Sequence, residues 1–212
     1  MPATKIRLSL LVLVLASAAL TLAAGLMLFS TFMFYDDEGY VLLSLRNYIA
    51  HGHLYGAVYS QYGPFPYVLY YVLHALGFPL THVAERFLTL LAWSSCATLS
   101  AWTVWRATRS LALMLAVLAA VFVYLWVMVS EPCHPGGLIA WTTAILATLG
   151  WRWLAEGRWV RWAAMAGAGT GILLLTKINI GAFAAFSTLA MLLLYARHDR
   201  LRRWAPWILS AG

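Results

Sequence analysis

The sequence predicts an all-α protein, a polytopic bundle of transmembrane helices. Three observations predict it. The chain is 63% hydrophobic, with a mean hydropathy of +0.80 and only 10% charged residues, where a soluble domain carries about a quarter. From Leu8 to Tyr35 it has no Asp, Glu, Lys, Arg or His, a run longer than the ~20 residues that cross a bilayer core. Further apolar stretches recur to the end of the chain, separated by short arginine clusters.

Taken in order, the first stretch, 8–34, is a retained membrane helix. Lys5 and Arg7 resemble the start of a secretory leader, but the apolar run is about twice the length of a leader's hydrophobic region. Residues 35–85 form an outer loop with juxtamembrane helices. Within it, 64–80 is apolar but carries Pro64, Pro66 and Pro79, with Tyr67, Tyr70, Tyr71 and His74. As a helix it would reach only about 25 Å, short of the ~30 Å hydrocarbon core, so it is expected to be juxtamembrane or re-entrant. Stretches 86–105, 110–130, 137–151, 162–176 and 180–196 read as further membrane helices. Another begins at Trp204 and has nine residues by Gly212, too few to span. Residues 1–212 are therefore expected to be a single membrane domain, the N-terminal part of a longer protein.

The net charge of +7 does not describe a nucleic-acid surface, because the basic residues sit between apolar segments, where they set topology. With the N-terminus cytoplasmic and 64–80 not crossing, 11 of the 14 Lys and Arg lie inside, leaving Arg46, Arg86 and Lys177 outside. A rival topology, with the N-terminus outside and 64–80 crossing, places ten inside. The Lys5/Arg7 pair favours the first. Trp102, Trp105, Trp151, Trp153, Trp159, Trp162, Trp204 and Trp207 flank the arginine clusters, as an interfacial aromatic belt does. Gly167 and Gly171 stand four apart, a spacing that lets helices pack closely. Cys96 and Cys133 belong to no disulfide or zinc pattern.

Asp36, Asp37 and Glu38 stand side by side in a chain with seven acids in all. Tyr40, Val41, Leu42, Leu45, Tyr48 and Ile49 then recur at helical spacing up to Gly52, which describes an amphipathic helix on the membrane surface. The acids open that helix, where its dipole favours negative charge. One reading of the triplet is thus a helix cap and membrane flank. The other is a lipid-adjacent active site, because three adjacent carboxylates repel one another unless a cation or proton is shared.

DEGY, then HLYG about fifteen residues on, QYGPFPY, the Arg of ERFLTLL, and GILLLTKINIGAF follow in that order. Together they resemble the polytopic, lipid-sugar-dependent glycosyltransferases of the GT-C fold, a group that includes protein O-mannosyltransferases and aminoarabinose transferases. The similarity covers most of residues 30–185. The resemblance implies a polyprenyl-phosphate sugar donor bound from the membrane. It also implies a lipid, glycan or protein acceptor at the non-cytoplasmic face of a bacterial cell membrane, and an acid of the first outer loop as catalytic base. The family motif falls on Asp37 and Glu38, with Asp36 a one-residue shift away. Ala57 departs from the pattern, standing where many relatives carry an acid.

The departing lipid phosphate needs cationic stabilisation, for which Arg86 and Lys177 are the candidates. Both lie on the side of the acidic loop and are exceptions to the charge distribution. Glu131 and His134, in the SEPCHPGG turn, fall on the same side and are the pair a divalent metal would use. Tyr40 and Tyr62 are the aromatic residues of the loop site, whereas His51, His53, His74 and His82 read as interfacial packing. Two other functions fit a multi-pass chain: a transporter or channel subunit, or a non-catalytic scaffold left by truncation. The near absence of charge within the spans argues against a transport pathway.

Overall fold

The computed structural model describes residues 3–31, 38–56 and 60–195. The described residues form eight α-helices: α1 Ala3–Ser30, α2 Glu38–His51, α3 Pro64–Ala75, α4 His82–Thr108, α5 Leu111–Tyr124, α6 Pro135–Ala155, α7 Trp159–Thr176 and α8 Ile178–Tyr195. A 3₁₀ turn, Leu125–Val129, extends α5. Four helical segments are long and apolar enough to cross a membrane: Lys5–Ser30, His82–Thr108, Leu111–Val129 and Pro135–Ala155. The helices α7 and α8 have 18 residues each, about 27 Å. With 12 residues, α3 is only about 18 Å long, as its prolines foretold.

The helix ends follow from local chemistry. Thr81 caps α4, its Oγ1 accepting from the Ala84 amide at 3.3 Å. At the other end Arg109 turns left-handed (φ 58°) and Ser110 at once caps α5, accepting from the Leu113 amide. A full reversal is thereby made with two residues. His134 caps α6 through Nδ1, which accepts from the Gly136 amide at 3.0 Å, and Pro135 occupies the first turn, where its missing N–H costs nothing. Because Thr81 is the cap, α4 starts before Arg86, and that residue lies inside the helix rather than at its mouth.

The hub of the bundle is α4, packed against α1, α5 and α6, while α7 continues the layer on α6 and α8 on α7. Thr98 Oγ1 meets Ser17 Oγ at 3.0 Å, and Arg86 reaches the Leu28 carbonyl, so α1 runs antiparallel to α4. Cys133 with Thr89, and Thr103 with Thr148, show that α6 runs parallel to it. Small residues on α4, Ala97 and Ala101, bring the helices close around Trp93, Trp105, Met114 and Leu118, all fully buried. Trp93 stacks on Phe122 with centroids 4.8 Å apart and donates its indole N–H to the Phe122 carbonyl at 2.9 Å. That carbonyl lies in the last turn of α5, where intrahelical partners run out.

One end of the bundle gathers residues 38, 82–86, 129–135 and 176–178; the other gathers the start of α1, the α4–α5 turn and the α6–α7 turn. Among the described residues the second end holds Lys5, Arg7, Arg106, Arg109, Arg152, Arg158 and Arg161 against Glu156. The first holds Arg46, Arg86 and Lys177 against Glu38, Glu85 and Glu131.

Trp93→Ala is expected to cost about 3–5 kcal/mol, since it removes a buried ring and orphans a carbonyl. Denaturant unfolding in detergent micelles measures this, and a loss below about 1 kcal/mol would show that the α4–α5 contact is not central.

Candidate functional site

At the acidic end, Glu38 opens α2 and is fully buried. Its two oxygens receive Arg86 Nε at 2.9 Å and Nη2 at 2.8 Å, the bidentate geometry that suits guanidinium and carboxylate. Arg86 Nη1 donates to the carbonyls of Leu28 (2.6 Å) and Thr31 (3.2 Å). These belong to the C-terminal end of α1, where helical carbonyls lack intrahelical donors. His82 Nδ1 approaches Glu38 from the surface side at 3.2 Å. Asp36 and Asp37 lie outside the described residues. Tyr40 is exposed on α2.

The expected roles of Glu38 and Arg86 thus take a different form in the structure. They do come together, across 48 residues, but as a buried ion pair. Arg86 is 5% exposed, because α4 starts four residues earlier than the apolar run suggests and Arg86 faces α1 and α2. The pair ties Glu38, at the start of α2, to α4 and to the end of α1.

A second cluster assembles from three other segments. The chain 60–63 docks on the end of α7: the Gly63 amide donates to the Thr176 carbonyl at 2.9 Å. A Cβ on Gly63 would stand 2.1 Å from the Leu175 carbonyl oxygen, so the approach requires glycine. The docked loop presents Tyr62, whose hydroxyl hydrogen-bonds His134 Nε2, and whose ring lies 5.6 Å from Lys177 Nζ. His134 Nδ1 is an acceptor in the cap of α6, which leaves the ring proton of the neutral imidazole on Nε2. Glu131 Oε2 is 3.7 Å from that nitrogen. Four residues singled out in the sequence, Tyr62, Glu131, His134 and Lys177, are therefore neighbours. Among the described residues no three His, Cys, Asp or Glu side chains converge as a metal site.

Lys177 is a joint as well as a cation. It is the single residue between α7 and α8, extended at φ −152° and ψ 111°. Its amide donates to the Leu173 carbonyl at 2.8 Å and its carbonyl accepts from the Gly181 amide at 3.0 Å. Beside the cluster, an apolar groove of about 330 Å³ runs between α3, α4 and the start of α6, with Tyr70, Leu73, Leu88, Leu138 and Trp141 among its walls and His134 at its edge.

Between the two clusters lies a group that sequence reasoning missed. Glu85 is fully buried, and neither carboxyl oxygen has a hydrogen-bond partner among the described residues. Nearby, the Tyr70 hydroxyl bonds the Cys133 sulfur, and the Cys133 amide donates to Thr89 Oγ1 at 2.8 Å. Burial, reinforced by the Glu85 charge, pushes the Cys133 thiol well above its ordinary value of 9.0, so it is no ready thiolate nucleophile. The signal for Glu85 was its place beside Arg86 in the first turns of an apolar helix, since adjacent ionisable residues are unusual there.

No family model, curated protein or solved structure matches the chain. What this end of the bundle does is therefore read from its side chains.

Glu38→Gln should destabilise the protein by about 3–5 kcal/mol, the cost of leaving a buried guanidinium uncompensated. The double variant Glu38→Gln/Arg86→Gln should cost clearly less than the sum of the singles; additive values would disprove direct coupling. Gly63→Ala should free the 60–63 loop with little loss of global stability. Amide exchange at residues 61–63 should accelerate, and unchanged exchange would refute the docking.

Proposed function

We propose that the chain is part of a membrane glycosyltransferase that moves a sugar from a polyprenyl-phosphate donor to an acceptor hydroxyl, at the non-cytoplasmic membrane face. The observation that carries this reading is the convergence of Lys177, Tyr62 and His134 at the edge of an apolar groove. A polyprenyl phosphate is an anion on an apolar chain, and cluster and groove together offer that pairing. The arginine-rich end then faces the cytoplasm, following the positive-inside rule. The acidic end, with α2 and the short α3, faces away from it, and a GT-C-like arrangement follows from the motif order.

In this mechanism Asp37 accepts the proton of the acceptor hydroxyl as that oxygen attacks the anomeric carbon. The bond from that carbon to the donor phosphate oxygen breaks, and its electron pair leaves on the phosphate. Lys177 and the Nε2–H of His134 stabilise the departing anion. Glu38, held by Arg86, does not take the proton but anchors the chain one residue from the base. Asp36 is the alternative base, Tyr40 and Tyr62 flank the acceptor path, and Glu131 would tune His134 or hold a divalent metal.

Two readouts separate binding from chemistry. Lys177→Gln should weaken binding of a polyprenyl phosphate to the protein in nanodiscs by about 10–100-fold, the value of a charge-assisted hydrogen bond. Asp37→Asn should leave that binding intact and cut sugar transfer by about 10²–10⁴-fold. Unaltered binding by Lys177→Gln, measured by native mass spectrometry, would rule out the phosphate site. Normal transfer by Asp37→Asn would remove Asp37 as the base.

A further inference from the structure

The opposite end of the bundle carries a second polar site. The last turns of α4 and α6 run side by side, joined by the Thr103–Thr148 hydrogen bond at 2.9 Å. Past that bond the helices enclose a cavity of about 190 Å³ lined by Trp102, Thr103, Arg106, Thr148, Trp151 and Arg152. Arg106 lies 5.9 Å from the centroid of the Trp102 ring. It makes no ion pair or hydrogen bond with a described residue. Arg152 directs Nε to Glu156 at 3.1 Å, and the same carboxylate also serves Arg158 at 3.0 Å. One acid is thus divided by direct contact between two arginines, while Arg106 acts on it only at a distance.

The charge at this place is strongly unbalanced. Arg106, Arg109, Arg152, Arg158 and Arg161 crowd the end of the helices, and Glu156 is the one acid there among the described residues. The carbonyl ends of α4 and α6 each add about half a negative charge, which still leaves the arginines in excess. Two guanidinium groups across a small cavity match the oxygens of a phosphate diester, to which Arg can bond in parallel pairs. Trp151, 48% exposed, and Trp102 are the side chains that settle at headgroup depth. Since α4 and α6 are among the helices long enough to cross a bilayer, their shared end lies in the headgroup layer.

We propose that this cavity binds the headgroup phosphate of an anionic phospholipid, clamped between Arg106 and Arg152 against the two indoles. The lipid bridges the ends of α4 and α6, and because it binds only the folded bundle it stabilises it by mass action. The source is the bilayer rather than solution, because Trp102 and Trp151, side chains suited to headgroup depth, line the cavity.

Native mass spectrometry of the chain released from nanodiscs tests this, comparing phosphatidylglycerol with phosphatidylcholine. Phosphatidylglycerol should be retained selectively. Arg106→Gln should lower its retention about fivefold, the effect of one basic residue at an anionic surface, and Arg106→Gln/Arg152→Gln about 25-fold. Arg161→Gln, at the same end but outside the cavity, should change it less than about twofold. Arg152→Gln also removes the Glu156 contact and could disturb the α6–α7 turn, so the single Arg106→Gln variant decides. Equal retention of the two lipids, or an Arg161→Gln effect as large as that of Arg106→Gln, would reduce the site to diffuse charge and overturn the proposal. Displacement of the lipid by millimolar inorganic phosphate would make it a site for soluble phosphate and overturn it as well.

Discussion

The architecture around the start of α2 depends on one buried guanidinium. Arg86 holds Glu38 with two hydrogen bonds and spends another donor group on the carbonyls that end α1. In a low-dielectric setting each of these groups would be costly alone: the guanidinium, the carboxylate and the orphan carbonyls. Together they satisfy one another. The first membrane helix, the start of α2 and the hub helix are thereby fastened at a single point. Because the bond is bidentate, orientation is fixed as well as position.

Everything at that end of the bundle is arranged relative to this fastening. From Glu38, α2 runs over α3 and buries Leu42 and Leu45. Beyond α2, the loop at 60–63 crosses to the end of α7 and lays Tyr62 between Lys177 and His134. The turn before α6 contributes His134, whose own backbone is fixed because its side chain caps the helix it starts. Glu85 receives no hydrogen bond from a described residue in this arrangement. A buried carboxyl without partners is a liability to stability, and such liabilities concentrate where function keeps them.

Much of the bundle was legible in the residues. Apolar length alone located α1, α4, α5 and α6; the prolines and tyrosines of 64–80 foretold a helix too short to cross; the spacing from Tyr40 to Ile49 foretold α2 and its end at Gly52, which is left-handed at φ 70°. The candidate site was legible as a membership list: Lys177, Tyr62, His134 and Glu131 were named by side, and they meet. Their mutual arrangement was not, since it depends on a close backbone approach at Gly63 that no pattern in one strip of sequence encodes. The inward turn of Arg86 escaped for a simpler reason. Hydropathy detects where an apolar run begins, whereas a helix begins at its cap, and Thr81 lies ahead of the run.

The junction at Lys177 has a consequence of its own. Most connections between helices absorb insertions, because a loop can lengthen without moving what it joins. This junction is one residue long and is bonded backward to Leu173 and forward to Gly181. Adding a residue would turn α8 by about 100° about its axis and lift Gly181 away from Leu174, on which it packs without room for a side chain. Descendants of this chain can exchange the side chain at 177 but cannot change its spacing. Chain length is therefore locked where the cation stands, and drift in the surrounding helices must pass through substitution alone.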